Sequence, residues 1–133
     1  MGVGRSEMGQ ALRSFEDLEV WQMARSIVNQ VYMICREDPV LTRDFGLSGQ
    51  LQRAAVSIMS NLAEGFERLH VQEKIQFYSI ARGSCGEVRS LLYVVADNYP
   101  NSADRGNRLK DLVSQAGRLI SGLIRSTRDR KTK

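Results

Sequence analysis

Side-chain chemistry needs a nucleophile, a base and an acid within reach of one another, and this sequence is sparing with all three. There is one histidine, His70, in the stretch "RLHVQ", and the two cysteines, Cys35 and Cys85, are far apart in the chain. A Ser-His-acid triad would have to be built around His70, with no strained nucleophile turn to supply the serine. Di-metal helical bundles use Glu-x-x-His pairs, and zinc sites use clustered Cys and His; neither spacing occurs. No glycine-rich phosphate loop sits between a strand and a helix. Both cysteines are flanked by apolar residues and read as small core residues of a protein kept in a reducing, cytoplasmic compartment. Glu64 and Glu87 are the carboxylates expected to be partly buried, but two carboxylates without a base, nucleophile or metal do not make an active site. The expectation is a non-enzymatic protein with no catalytic residues, no cofactor and no metal.

What the sequence does offer is a second stripe. In "QLQRAAVSIMSNLAEGF", residues 50–66, an apolar helical pattern is accompanied by Gln50, Arg53, Ser57, Asn61 and Glu64 at steps of three and four. At about 100° per residue the two stripes stand roughly a third of a turn apart. Ser57, Ser60, Asn61 and Ala63 are small, and Gly65 lies inside the pattern. Small side chains cover little area and let another helix come close. A matching oddity follows in "IARGSCGEV", where Gly83 and Gly86 interrupt a long helical pattern at a cost of about 1 kcal/mol each relative to alanine. Such residues, with Ser84 between them, suggest close approach by a neighbour.

These stripes need helices to carry them. The prolines, Pro39 and Pro100, each follow a long helical pattern and mark connections. No β-type alternation is sustained. Helix 1 is predicted over residues 16–37, with Ser14 and Asp17 forming a capping box and Val20, Ala24, Ile27, Val31, Ile34 and Cys35 inside. Trp21 and Tyr32 flank that face. Helix 2 is predicted over 47–68, capped by Ser48, with Leu47, Leu51, Ala54, Ala55, Ile58, Leu62 and Leu69 inside. Helix 3 covers 72–98, burying Phe77, Ile80, Ala81, Ser84, Val88, Leu91, Leu92 and Val95. Helix 4 covers 103–126, burying Leu109, Leu112, Val113, Ala116, Ile120, Leu123 and Ile124. Four long helices with short connections make an all-α, antiparallel up-down-up-down four-helix bundle. In a hairpin turning near His70, residues at equal height have numbers that sum to about 140. Arg53 then stands level with Glu87, Ser57 with Gly83, and Asn61 with Ser79. The expectation is a half-buried Arg53–Glu87 ion pair.

The net charge of +4 is concentrated at one end. From Ser121 onward there are five basic residues, Arg125, Arg128, Arg130, Lys131 and Lys133, against Asp129; the remainder balances, 14 basic against 14 acidic. The domain reading is a flexible leader over 1–14, a bundle over 15–126 and a basic tail over 127–133. Such a tail either attracts polyanions without reading sequence or is simply a solvated end. The leader fits a myristoylation pattern at Gly2 and Ser6 but reads as a flexible Gly/Ser segment. No apolar run approaches a membrane span, and the first residues lack the apolar core of a signal peptide, so no export is expected.

The residues "FEDLEVWQMA", "GLSGQLQRAAVSIMSNLAEGF" and "FYSIARGSCGEV" resemble the family of small four-helix-bundle proteins also called 23S rRNA-intervening sequence proteins. The resemblance runs from about Phe15 to Ile124. Gln50, Arg53, Ser57, Asn61, Ala63, Glu64 and Gly65 match the motif of helix 2, and Gly83, Ser84 and Glu87 that of helix 3. Met59 stands where the family often has proline, and Arg89 where an acid is common. The resemblance implies a homopentamer around a central channel, and a role in binding nucleic acid.

Gln50, Arg53, Ser57, Asn61, Glu64, Gly83, Ser84 and Glu87 are therefore read as a packing or assembly stripe. It serves either the helix 2–helix 3 contact within one bundle or the contact between subunits; a closed ring needs two different patches on each subunit. Arg125, Arg128, Arg130, Lys131 and Lys133 are the candidate nucleic-acid contacts. The functional expectation is a ring-like homo-oligomer that binds RNA or DNA in a sequence-tolerant way. The alternative is a structural module whose ligand is another protein.

Overall fold

The computed structural model describes residues 12–131. The described chain forms four long helices: α1 (Glu19–Glu37), α2 (Phe45–Glu67), α3 (Val71–Asn98) and α4 (Ala103–Lys131). Three 3₁₀ turns, Phe15–Asp17, Leu41–Arg43 and Pro100–Ser102, complete the elements, and there is no strand among the described residues. Helix α1 packs against α2 and α4, and α3 packs against the same two. Cross-helix contacts set the directions: Glu37 of α1 meets Arg105 of α4, and Ser57 of α2 meets Ser84 of α3. Asp44, at the start of α2, meets Tyr99, at the end of α3. Neighbouring helices thus run antiparallel.

The apolar periodicity positions the core almost as expected. Val20, Ala24, Ile27, Val31, Ile34 and Cys35 of α1 are all buried, as are Leu51, Ala54, Ala55, Ile58 and Leu62 of α2. Trp21 is buried too, with the Phe15 ring edge-on at 5.1 Å. Two predicted core positions, Leu69 and Ile80, are exposed, and Phe77 is only half-buried. Leu69 is 89% exposed because α2 ends at Glu67, which leaves Leu69 in the turn. On α3 the buried aromatic residue is Tyr78; Phe77 is half-buried and Ile80 is exposed. The core side of α3 is shifted by one residue there because Tyr78 fills the space over Gly65.

The helix ends correct three further details. Asp17 does accept from the backbone N–H of Ser14 (3.2 Å) and of Arg13 (3.0 Å), but it closes the 3₁₀ turn, and α1 begins only at Glu19. The cap of α2 is Asp44, whose Oδ1 accepts from Leu47 N–H at 3.1 Å. Ser48 lies within the first turn, and its hydroxyl donates to the Asp44 carbonyl at 2.9 Å. A carboxylate at that site also suits the positive end of the helix dipole. Finally, α4 runs on to Lys131, past the expected end at Ser126. Thr127 is buried and donates to the Leu123 carbonyl at 2.7 Å, and neither Gly nor Pro follows to break the helix.

Candidate functional site

The polar stripe of α2 divides into a sheltered part and an open part. Ser57 and Ser84 place their hydroxyl oxygens 2.8 Å apart across the α2–α3 seam, one residue from the expected register. Ser84 is buried and Ser57 half-buried. Asn61 stays on its own helix, with Nδ2 donating to the Ser57 carbonyl (2.9 Å) and hydroxyl (3.0 Å). Ser57 thus links Asn61 to α3, and the small polar residues satisfy one another inside a close helix crossing.

Gly65 marks the tightest approach. A β-carbon built on it would stand 2.6 Å from Tyr78 Cε1 and 3.2 Å from the Lys74 carbonyl oxygen. Lys74 Nζ donates to the Phe66 carbonyl at 2.7 Å, so a cation closes the end of α2. Burial pushes the Lys74 ammonium below its ordinary value, and Arg130 adds to that. Burial pushes the Tyr78 phenol up to about 12, against the opposing pull of Arg130. The end of α4 therefore reaches the α2–α3 turn.

The rest of the stripe faces outward. Gln50, Arg53, Glu64 and Glu87 are exposed. Arg53 and Glu87 do not form the expected ion pair; among the described residues the ion pairs are Arg68–Glu64 (2.5 Å) and Arg105–Glu37 (2.8 Å). The Arg53 guanidinium folds back along α2 instead, where a β-carbon on Gly49 would stand 3.2 Å from Nη1. It borders an open hollow of about 410 Å³ with Tyr32, Gln52, Val56 and Ser60. Glu64 is held by Arg68, whose guanidinium also lies 4.7 Å over the Phe77 ring. Gly83 and Gly86 correct the second expectation: a β-carbon on either meets nothing within 4 Å, so neither is needed for packing within the chain.

Of the basic residues singled out, Arg125, Arg128 and Arg130 are exposed on the last turns of α4. Lys131 ends the helix, and Lys133 lies outside the described residues.

Sequence reasoning missed a polar clamp at the opposite end of the bundle. Buried Asp38 accepts from the N–H groups of Val40 (3.0 Å) and Leu41 (3.1 Å), and from the Ser102 hydroxyl at 2.6 Å. Asp44 Oδ2 accepts from the Tyr99 hydroxyl at 2.5 Å. The Ser102 hydrogen bond holds the Asp38 carboxyl below its usual range, and Tyr99 does the same for Asp44. The Asp38-Pro39 pair and an aspartate just ahead of a helix are turn and cap signals, so half of this clamp was there to be read. Its partners, 55 and 64 residues away, were not.

No helix among the described residues is long and apolar enough to cross a membrane. A family model described as 23S rRNA-intervening sequence protein matches residues 16–122. The chain belongs to that family. No curated protein matches it. The span shared with the 23S rRNA-intervening sequence proteins takes in α1, α2, α3 and the polar seam between α2 and α3. It stops before Arg125, Arg128 and Arg130, so the basic end of this 23S rRNA-intervening sequence protein lies beyond the matched residues.

Proposed function

We propose that this 23S rRNA-intervening sequence protein is a non-enzymatic homo-oligomer, the pentamer that the family resemblance implies, and that it binds RNA without reading its sequence. The observation that supports assembly is Gly83. An interior glycine costs a helix about 1 kcal/mol relative to alanine, and here nothing in the same chain occupies the space it leaves. Beside it on α3, at helical spacing, stand exposed Ile80, Glu87 and Val94. Arg53, of opposite charge to Glu87 and not ion-paired with it in the chain, stands on the neighbouring helix. A second copy approaching at Gly83 would cover apolar area and give Glu87 a cationic partner.

Nucleic-acid binding is supported by the exposed arginines at the end of α4, where charge is repeated once per subunit. With five copies, tails of net +4 would gather about +20 at one end of a ring, and binding should fall steeply with salt. Light scattering with absorbance at two wavelengths gives the mass and reveals co-purified nucleic acid. Five times the chain mass for the native protein, and a lower mass for Gly83→Leu with unchanged helicity, is the expected result. A monomer at all concentrations would refute the assembly. No RNA binding at low salt would refute the ligand.

The exposed apolar side chains Ile80, Tyr93 and Val94 favour a second reading, a protein partner. Capture of such a partner after nuclease treatment, from a protein that shows no affinity for RNA, would replace the first reading with the second.

A further inference from the structure

Outside the acidic and polar seam between α2 and α3, the seam between α3 and α4 is lined differently. On α3, Arg82, Gly86, Arg89 and Tyr93 recur at steps of four and three and are all exposed. They flank α4, because Cys85 between them meets α4 at Gly117, where a β-carbon would stand 3.9 Å from Cys85 Cβ. Both guanidiniums also act on the Cys85 thiol: burial pushes it up to about 11, with Arg89 and then Arg82 pulling the other way. On α4, Lys110 places Nζ 3.4 Å from the centre of the Tyr93 ring, which fixes the same side of that helix. From Lys110 the stripe continues through Gly117 to Arg128, with Arg118 and Arg125 exposed along its outer edge.

The α3 row contains no acid; the α4 row has one, exposed Asp111, beside Lys110 and seven residues before Arg118; and none of these cations is in an ion pair among the described residues. The floor between them is low. Gly86 has open space above it, Gly117 has no side chain, and half-buried Ser114 and Ser121 flank Gly117 at helical spacing. At 1.5 Å per residue the α3 wall from Arg82 to Tyr93 is about 16 Å long, and the α4 wall from Lys110 to Arg128 about 27 Å. Two packed helices stand about 8–10 Å apart. The result is a straight surface furrow bordered by cations.

We infer that the α3–α4 groove is the track on which a single-stranded nucleic-acid backbone lies, its phosphates held by Arg82, Arg89, Lys110, Arg118, Arg125 and Arg128. This rests on the nucleic-acid reading above and moves its centre from the chain end to a face of the bundle. Five of the six cations are arginine, whose fork can grip a phosphate through two N–H groups. The two rows border one straight line of the surface, the arrangement with which a cationic track follows the backbone of a single strand. The contacts assigned are all to phosphate, which carries no sequence information, so binding should tolerate any sequence. The overall charge balance of the body concealed this face, because a total over the chain does not show how few acids stand among these cations.

The test compares three forms of the full chain by titration into labelled single-stranded RNA, single-stranded DNA of the same sequence, duplex RNA and polyglutamate, at two salt concentrations. The groove variant carries Arg82→Gln, Arg89→Gln, Arg118→Gln and Arg125→Gln. A control with the same loss of charge carries Arg25→Gln, Arg36→Gln, Arg43→Gln and Arg108→Gln. Circular dichroism and light scattering confirm that both keep the helicity and mass of the native protein. The expected result is a loss of at least tenfold in affinity for single strands in the groove variant, and little change in the control. The dependence of log affinity on log salt should fall by about 3 on removing four phosphate contacts. Equal losses in both variants would show a diffuse charge effect and overturn the groove while leaving nucleic-acid binding in place. Tighter binding to duplex or to polyglutamate than to single strands would overturn it as well. A native protein that binds none of the nucleic acids removes both the groove and the reading on which it rests.

Discussion

The ring of Tyr78 lies directly over Gly65, so that a single added methyl group would stand 2.6 Å from Cε1 and 2.7 Å from Cδ1. Tyr78 is buried, and the Lys74 backbone behind it is helical, so neither can retreat cheaply. Gly65→Ala should therefore destabilise the bundle by about 1–3 kcal/mol through overpacking, although alanine is the better helix former. Chemical denaturation followed by circular dichroism measures this, and an unchanged midpoint would contradict the close crossing.

Gly83→Ala should do the opposite within one chain. Its β-carbon meets nothing, so the helix gains about 0.5–1 kcal/mol from propensity alone. Denaturation at protein concentrations low enough to separate any subunits should show the gain, and a loss under those conditions would mean that α3 is crowded there.

Ser57 and Ser84 should behave as one unit. Replacing either by alanine strands the other hydroxyl in the seam, whereas replacing both removes the need for a partner. A double-mutant cycle should give a coupling of about 1 kcal/mol, with the double variant less damaged than the two single losses combined. Strict additivity would argue against the hydrogen bond.

The clamp formed by Asp38 and Asp44 should make the fold sensitive to acid. Both carboxyls have folded values below the unfolded ones, so each stabilises the fold fully above about pH 4, and that contribution falls as pH drops through the lowered folded values. A stability profile between about pH 6 and pH 2 should decline in that window. Asp38→Asn should flatten the decline and lower the neutral-pH plateau.

Both cysteines should be unreactive in the folded protein. They are free and buried, and burial raises both thiols, Cys85 to about 11, so little thiolate exists near neutrality. A thiol reagent at pH 8 should label neither quickly, and both after denaturation. Rapid labelling of the native protein would show that the core opens at those sites.

The helices were legible because apolar residues recur at steps of three and four for many turns, and this signal survives any tertiary detail. The seam register was legible for the same reason: a hairpin with a short turn has little freedom, so Ser57 was placed within one residue of its partner. The ion pair was not. Arg53 is long and exposed, and its guanidinium finds its own helix nearer than Glu87. The glycines divide in the same way. Spacing showed that Gly65, Gly83 and Gly86 were unusual, but only the position of the Tyr78 ring tells which of them is filled from within. The α3–α4 charge face was hidden because a total over the chain says nothing about which side of a helix each charge occupies.

The clamp has a consequence for how the molecule comes apart. It ties the α1–α2 connection to the start of α4 through Asp38 and Ser102, and the start of α2 to the end of α3 through Asp44 and Tyr99. One pole of the bundle is thus knotted by hydrogen bonds between segments remote in sequence, while at the other the Lys74 and Tyr78 contacts with Phe66 and Gly65 are local to one hairpin, and thermal breathing should begin there. Amide exchange should run as a gradient along the long axis, fastest where α2 gives way to α3 and slowest beside Leu41, so that the arginine-bearing tip of α4 rides on the looser pole.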